Sequence, residues 1–102
     1  MMKSKYYVIV RFKIESKDFE ILYSLIKNFF KEEVSLTPGF LSSRILSSED
    51  KSKVVNYAIW ESKDAFEKFA RDIVSQSEIS KKIALFNPSR ETFYEVDYFN
   101  NA

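Results

Sequence analysis

The sequence predicts an α+β fold: a four-stranded antiparallel sheet with helices on one face and a second copy of the protein against the other. Three observations carry this. Residues 54–60 place Val54, Ala58 and Trp60 on one strand face and Val55, Tyr57 and Ile59 on the opposite one. A strand that is apolar on both faces has to be covered on both. A chain of 102 residues has helix enough for one of those faces. The third observation is the alternation of strand-like and helix-like stretches along the chain.

The elements follow in order. In residues 6–14, Tyr6, Val8, Val10, Phe12 and Ile14 share one face, with Tyr7 and Ile9 on the other. Such alternation marks a strand. Asp18 is the expected cap of a helix whose stripe is Phe19, Leu22, Tyr23, Ile26, Phe29 and Phe30. That helix should end before Pro38, because the residue preceding proline avoids helical geometry. Gly39 is the only glycine, so it is expected where a side chain does not fit or φ is positive. Residues 40–48 read as a strand with a serine-rich polar face, near a sheet edge. Residues 48–52 form the hairpin loop and residues 53–61 the third strand. Ser62 caps a helix running to about Ile73, with Ala65, Phe66, Phe69 and Ala70 facing inward. Residues 75–86 read as a weaker helix with Ile79, Ile83 and Phe86 as its stripe, broken by Asn87-Pro88-Ser89. Residues 92–99 are expected as the last strand, with Tyr94, Val96 and Tyr98 on one face and Phe93, Glu95, Asp97 and Phe99 on the other. The order β-α-β-β-α-(α)-β is the ferredoxin-like arrangement.

Composition narrows the function. The length suits a single domain over residues 1–102 with its core at about 6–99, burying roughly 65% of its unfolded surface. Hydrophobic residues are 45% and aromatics 17%, with ten Phe and six Tyr. That load points to a core of rings or a ring-lined pocket. The net charge of +1 calls for neither nucleic acid nor an anionic membrane. An RNA-recognition domain shares the element order but needs a basic, glycine-containing aromatic strand, which this chain lacks. There is no cysteine and no histidine. Thiolate chemistry is thereby excluded, along with the usual general base and the usual haem ligand. No metal site and no cofactor are expected. The basic start, Met1 to Lys5, leads into an apolar run too short for a signal segment, and no stretch is long enough to span a bilayer. The expected location is cytoplasmic.

Two stretches carry a resemblance. Thr37-Pro38-Gly39-Phe40-Leu41-Ser42 and Val55-Asn56-Tyr57-Ala58-Ile59-Trp60-Glu61-Ser62-Lys63-Asp64-Ala65-Phe66, supported by Tyr94-Glu95-Val96, resemble the antibiotic biosynthesis monooxygenase family of the dimeric α+β barrel superfamily. The likeness runs from about Tyr6 to Phe99. It implies a homodimer whose two sheets face each other, and a pocket in each subunit between sheet and helices. Some members oxidise phenols or quinols to quinones with O2 and no cofactor. Others degrade haem, and several have no known activity.

The candidate catalytic pair is Asn56 and Trp60. Four residues apart on a strand, they share a face. The resemblance adds that quinone-forming members line their pocket with this pair at this spacing. An amide N–H stabilises charge developing on oxygen, and an indole stacks on a flat aromatic and donates through its ring nitrogen. Trp60 also reads as a plain core plug. Asn56 needs a hydrogen-bond partner wherever it is buried. Tyr23, Phe66, Phe69, Val10 and Phe12 are the expected pocket lining. The chain departs from the family pattern at Phe66, where quinone-forming members carry tyrosine, and at Phe69, where haem-degrading members carry tryptophan. The histidine that ligates haem in those members has no counterpart.

Without histidine, a base has to come from residues such as Tyr23, Glu95 or Asp97. Tyr23 reads first as a core ring, and the two carboxylates as solvated groups near an edge. Arg71, Lys81 and Lys82 lie near positions where the family often places a cation, and each is expected in solvent. Tyr7, Ile9, Tyr57, Ile59, Tyr94, Val96 and Tyr98 are the expected dimer face. The function expected is cofactor-independent oxidation of a small phenol or quinol by O2. The alternative is a non-catalytic dimer holding a small aromatic or hydrophobic ligand.

Overall fold

The computed structural model describes residues 4–101; residues 1–3 of the basic N-terminal stretch and Ala102 lie outside them. One antiparallel sheet runs in the order β2-β3-β1-β4. The two central strands, β1 (Tyr6–Lys13) and β3 (Lys53–Trp60), pair from Tyr6 opposite Trp60 to Lys13 opposite Lys53. They are the strands whose residues alternate most fully as apolar. The serine-rich β2 (Phe40–Ser47) is an edge strand, as its polar face implied. Together with the helices described below, the sheet makes the ferredoxin-like α+β fold that the element order predicted.

The helices cover the face that holds Tyr6, Val8, Phe12, Val54, Ala58 and Trp60, all buried. Helix α1 (Phe19–Phe29) buries Leu22 and Ile26 in the same cluster as Phe12 and Val54. Asp18 does not cap it. The Asp18 side chain makes no capping hydrogen bond, because a 3-10 turn, Ser16–Asp18, already leads into the helix with helical backbone angles. The helix continues into a wider π turn, Phe30–Val34, closed by Ser35 N–H donating to Phe30 O at 2.8 Å. This turn buries Val34. Thr37 and Ser35 hydroxyls donate to Glu33 O and Lys31 O, satisfying carbonyls that the turn leaves open.

Gly39 meets both conditions expected of it. Its φ is +91°, and a Cβ there would stand 2.5 Å from the Ala65 Cβ. Its carbonyl accepts Glu61 N–H at 2.7 Å. The bare backbone thus lets helix α2 (Lys63–Asp72) start directly against the turn before β2. Ser62 caps α2, its hydroxyl accepting Ala65 N–H at 3.1 Å. Phe66 and Phe69 are buried on its inner side. The third helix is shorter than expected. A 3-10 turn, Val74–Gln76, precedes α3 (Glu78–Ala84), and buried Ser77 caps it. Ser77 also donates to Glu33 Oε2 at 2.7 Å, tying α3 to the π turn.

The last strand is displaced from its expected range. Strand β4 is Ser89–Tyr94, not 92–99, and residues 95–101 carry no regular structure. The reason lies in its partner. Ser89 pairs with Arg11 and Tyr94 with Tyr6, where β1 begins. One more bond, Glu95 N–H to Lys5 O at 3.0 Å, closes the ladder. Tyr94 therefore lies on the same sheet face as Tyr6, its ring edge-on to Tyr6 with centroids 5.4 Å apart. It does not extend the Tyr7 and Ile9 face, and Phe93 takes that place opposite Tyr7. Val96 and Tyr98 lie beyond the strand. Among the described residues no helix is long and apolar enough to cross a membrane.

Candidate functional site

Between the sheet and the helices lies an open-mouthed cavity of about 320 Å3, near the lower end of the roughly 300–1,000 Å3 range of small-molecule sites. The sheet side of its wall holds Val8, Val10, Phe12, Asn56, Ala58, Trp60 and Arg90. The helices and turns add Phe29, Phe30, Val34, Phe66, Phe69 and Ile83, among others. Asn56 and Trp60 both stand in this wall, and so do Val10, Phe12, Phe66 and Phe69.

Trp60 is both plug and wall. It is 2% exposed. The rings of Phe40, Phe66 and Phe69 surround it at centroid distances of 5.5, 5.6 and 5.0 Å. Offset and edge-on pairs of this kind add stability beyond the area they bury. Asn56 is half-buried, and its partner comes from the neighbouring strand. The Ser43 hydroxyl donates to the Asn56 Oδ1 at 2.6 Å. With Oδ1 assigned to Ser43, Nδ2 is the end of the amide free to meet a ligand, and among the described residues it has no protein acceptor.

Tyr23 does not join this wall. It stacks on Phe19 at 6.0 Å, one turn earlier along α1, and faces a groove beside Phe40, Ser43 and Ile45. The buried stripe of α1 is Leu22 and Ile26, and Tyr23 is rotated off it. Glu95 does not enter the cavity either. It accepts the Tyr7 hydroxyl on the opposite side of the sheet. That carboxylate raises the Tyr7 phenol from about 10 to about 12, aided by burial and by the charge of Glu95 itself. Asp97 is exposed and accepts the Tyr98 N–H. Arg71, Lys81 and Lys82 are exposed, with Arg71 against Asp72 and Lys81 against Glu78. Tyr7, Ile9, Tyr57 and Ile59 lie together on the uncovered sheet face, with Tyr7 edge-on to Tyr57 at 5.7 Å.

Sequence reasoning missed Arg90, Ser43 and Ser80. Starting the last strand at Ser89 would have put Arg90 on the cavity face with Thr92 and Tyr94 by alternation. Ser43 carries the same signal within β2, sharing a face with Ile45. Ser80 lines the cavity from α3, beside the stripe of Ile79 and Ile83.

Among the described residues the wall offers haem iron no axial ligand, since no His, Cys, Met or Tyr of theirs stands in it. The donor set does not fit haem. Among the described residues no cluster of three acidic, His or Cys side chains could hold a metal ion.

Known proteins share this architecture. The chain is similar to a Streptomyces coelicolor monooxygenase from the gene ActVA-Orf6, solved in complex with nanaomycin D. Identity there is 22% and the TM-score 0.81, over 97% of this chain and 94% of that one. It is also similar to a dimeric ferredoxin-like protein from an uncultured marine organism, with 12% identity, TM-score 0.79 and coverage of 98% and 95%. A third likeness is to the heme-degrading protein Rv3592 of Mycobacterium tuberculosis in its heme-free form, with 18% identity, TM-score 0.73 and coverage of 97% and 99%. At such identities the likeness establishes the fold alone. No curated protein matches the chain. A family model described as antibiotic biosynthesis monooxygenase matches residues 5–72, which span β1 through α2 and include both Asn56 and Trp60. The chain belongs to the antibiotic biosynthesis monooxygenase family.

Proposed function

We propose that the cavity binds a flat phenol or quinol and that the protein oxidises it with O2 without a cofactor. One observation carries the reading: Asn56 and Trp60, on one face of one strand, both stand in the wall of an apolar, ring-lined cavity. The indole and the Phe66 and Phe69 rings hold the substrate ring flat. The Asn56 amide N–H stabilises charge on the substrate oxygen as the phenol becomes a phenolate. Electrons then pass from the phenolate to O2. One oxygen atom becomes the new quinone carbonyl and the other leaves as water, so the substrate itself is the reductant. Family membership and the monooxygenase neighbour support this chemistry.

A second copy of the chain is part of the reading. Tyr7, Ile9, Tyr57 and Ile59 form an apolar sheet face without helices over it, and Val96 and Phe99 in the tail are 97% and 85% exposed. A homodimer closed through these faces would cover them, and the ferredoxin-like neighbour from the marine organism is itself dimeric.

A non-catalytic ligand-binding dimer is the competing reading. It draws on a wall to which, among the described residues, no Asp, Glu, Lys, His or Tyr contributes a group to take a proton. Oxygen-electrode measurements with a panel of quinols and naphthols, with quinone absorbance read alongside, separate the two. Substrate-dependent O2 uptake with matching quinone supports oxidation. Saturable binding without uptake across the panel leaves the binding protein.

A further inference from the structure

The geometry points to Arg90 as an anion anchor, making the ligand of this cavity a flat aromatic that carries one anionic oxygen at its outer edge. This rests on the reading that the cavity holds an aromatic. Among the described residues Arg90 is the only charged one in the wall. It sits on β4 opposite Val10, so strand alternation aims it at the helix side of the sheet. Its guanidinium carbon lies 5.5 Å from the Phe66 ring centroid, over the ring. The side chain is exposed, which places it at the mouth, between the cavity and an outer depression shared with Glu67 and Arg71. Among the described residues no carboxylate pairs with Arg90, although Arg11 one strand position away is paired with Glu91.

A guanidinium stacked on an aromatic face keeps its N–H edge free for an oxyanion. The apolar wall behind it lowers the local dielectric and strengthens that attraction. Such an arrangement also answers the missing base. A phenol entering the mouth loses its O–H proton to water there. The electron pair stays on oxygen, facing Arg90 at the mouth. The substrates selected are those acidic enough to ionise without a protein base: phenols or quinols activated by an electron-withdrawing group, or aromatic carboxylates.

Binding, not turnover, tests this. Affinities of naphthoate, nitronaphtholate and the neutral naphthalenemethanol are measured by calorimetry on the wild-type protein, Arg90→Met and Arg90→Lys. The expected result is that an anion binds wild type roughly tenfold tighter than the neutral ring, the scale of one charge-assisted hydrogen bond. Arg90→Met should erase that preference, and Arg90→Lys should keep part of it. Whether naphthoate or nitronaphtholate is preferred distinguishes a carboxylate from a phenolate ligand. If Arg90→Met does not fold, the wild-type preference must still shrink as salt rises. Equal affinities for anion and neutral ring, or a preference that survives Arg90→Met, overturn the assignment and leave Arg90 as a cover for Phe66. If no aromatic binds at all, the cavity reading fails and takes this one with it.

Discussion

Ser43 and Asn56 are joined across β2 and β3 by a hydrogen bond of 2.6 Å from the serine hydroxyl to the amide oxygen. They are diagonal neighbours, since Ser43 pairs with Ala58 and Asn56 with Ile45. The bond decides which end of the amide a ligand meets. Ser43→Ala should leave the amide free to turn and present its acceptor. Phenol affinity should fall by about 0.5–1.5 kcal/mol, the net worth of one neutral hydrogen bond. Thermal stability should change little by comparison. Parallel ligand titrations and melting curves check this, and unaltered affinity would remove Ser43 from the site.

Gly39→Ala is expected to destabilise the fold by about 2–5 kcal/mol. A side chain at φ +91° costs about 1–2 kcal/mol. The 2.5 Å approach to the Ala65 Cβ adds an overpacking cost of about 1–3 kcal/mol. Adding Ala65→Gly should recover the second part and not the first. Urea unfolding of the single and double variants measures both.

Tyr7 gives the account a pH signature. Its phenol is raised to about 12 because ionisation would break the hydrogen bond it donates to Glu95, with burial and the Glu95 charge adding to the shift. A raised folded value means the contribution is whole below about pH 10 and is lost as pH climbs through about 12. A second copy against this face would push the phenol further the same way. Tyrosinate absorbance should show one late-titrating tyrosine. Tyr7→Phe should abolish that late phase, and Glu95→Gln should move it down. A Tyr7 phenol that ionises near its ordinary value of about 10 would contradict the contact.

The uncovered sheet face predicts the oligomer. Light scattering should return twice the monomer mass. Tyr57→Asp should give a monomer or an unfolded chain, because a dimer would bury the carboxylate without a partner. A wild-type protein that runs as a monomer at micromolar concentration would refute the interface.

The elements legible in the sequence were those whose signal is local. β1 and β3 announce themselves by two-faced alternation, Ser62 by its position before α2, and Gly39 by being the sole glycine. The shared face of Asn56 and Trp60 follows from strand period alone. What escaped depends on partners. The span of β4 is set by where β1 begins, at Tyr6, and not by its own residues. That one displacement moved Tyr94 to the helix side and concealed Arg90. Tyr23 looked like stripe because Phe19 and Tyr23 are spaced as a helix pair, yet the pair packs on the flank of α1. Asp18 looked like a cap because the 3-10 turn before α1 leaves no mark in composition.

Trp60 is the only tryptophan and stands in the cavity wall, so its emission reports on that chamber alone. Titrating the protein with an activated naphthol while recording this emission tests the occupancy on which the rest depends. The account predicts a saturable change at one ligand per chain, weakened by Asn56→Ala with the fold intact. A Trp60 signal that stays flat, while the same ligand is shown to bind elsewhere or not at all, would contradict it.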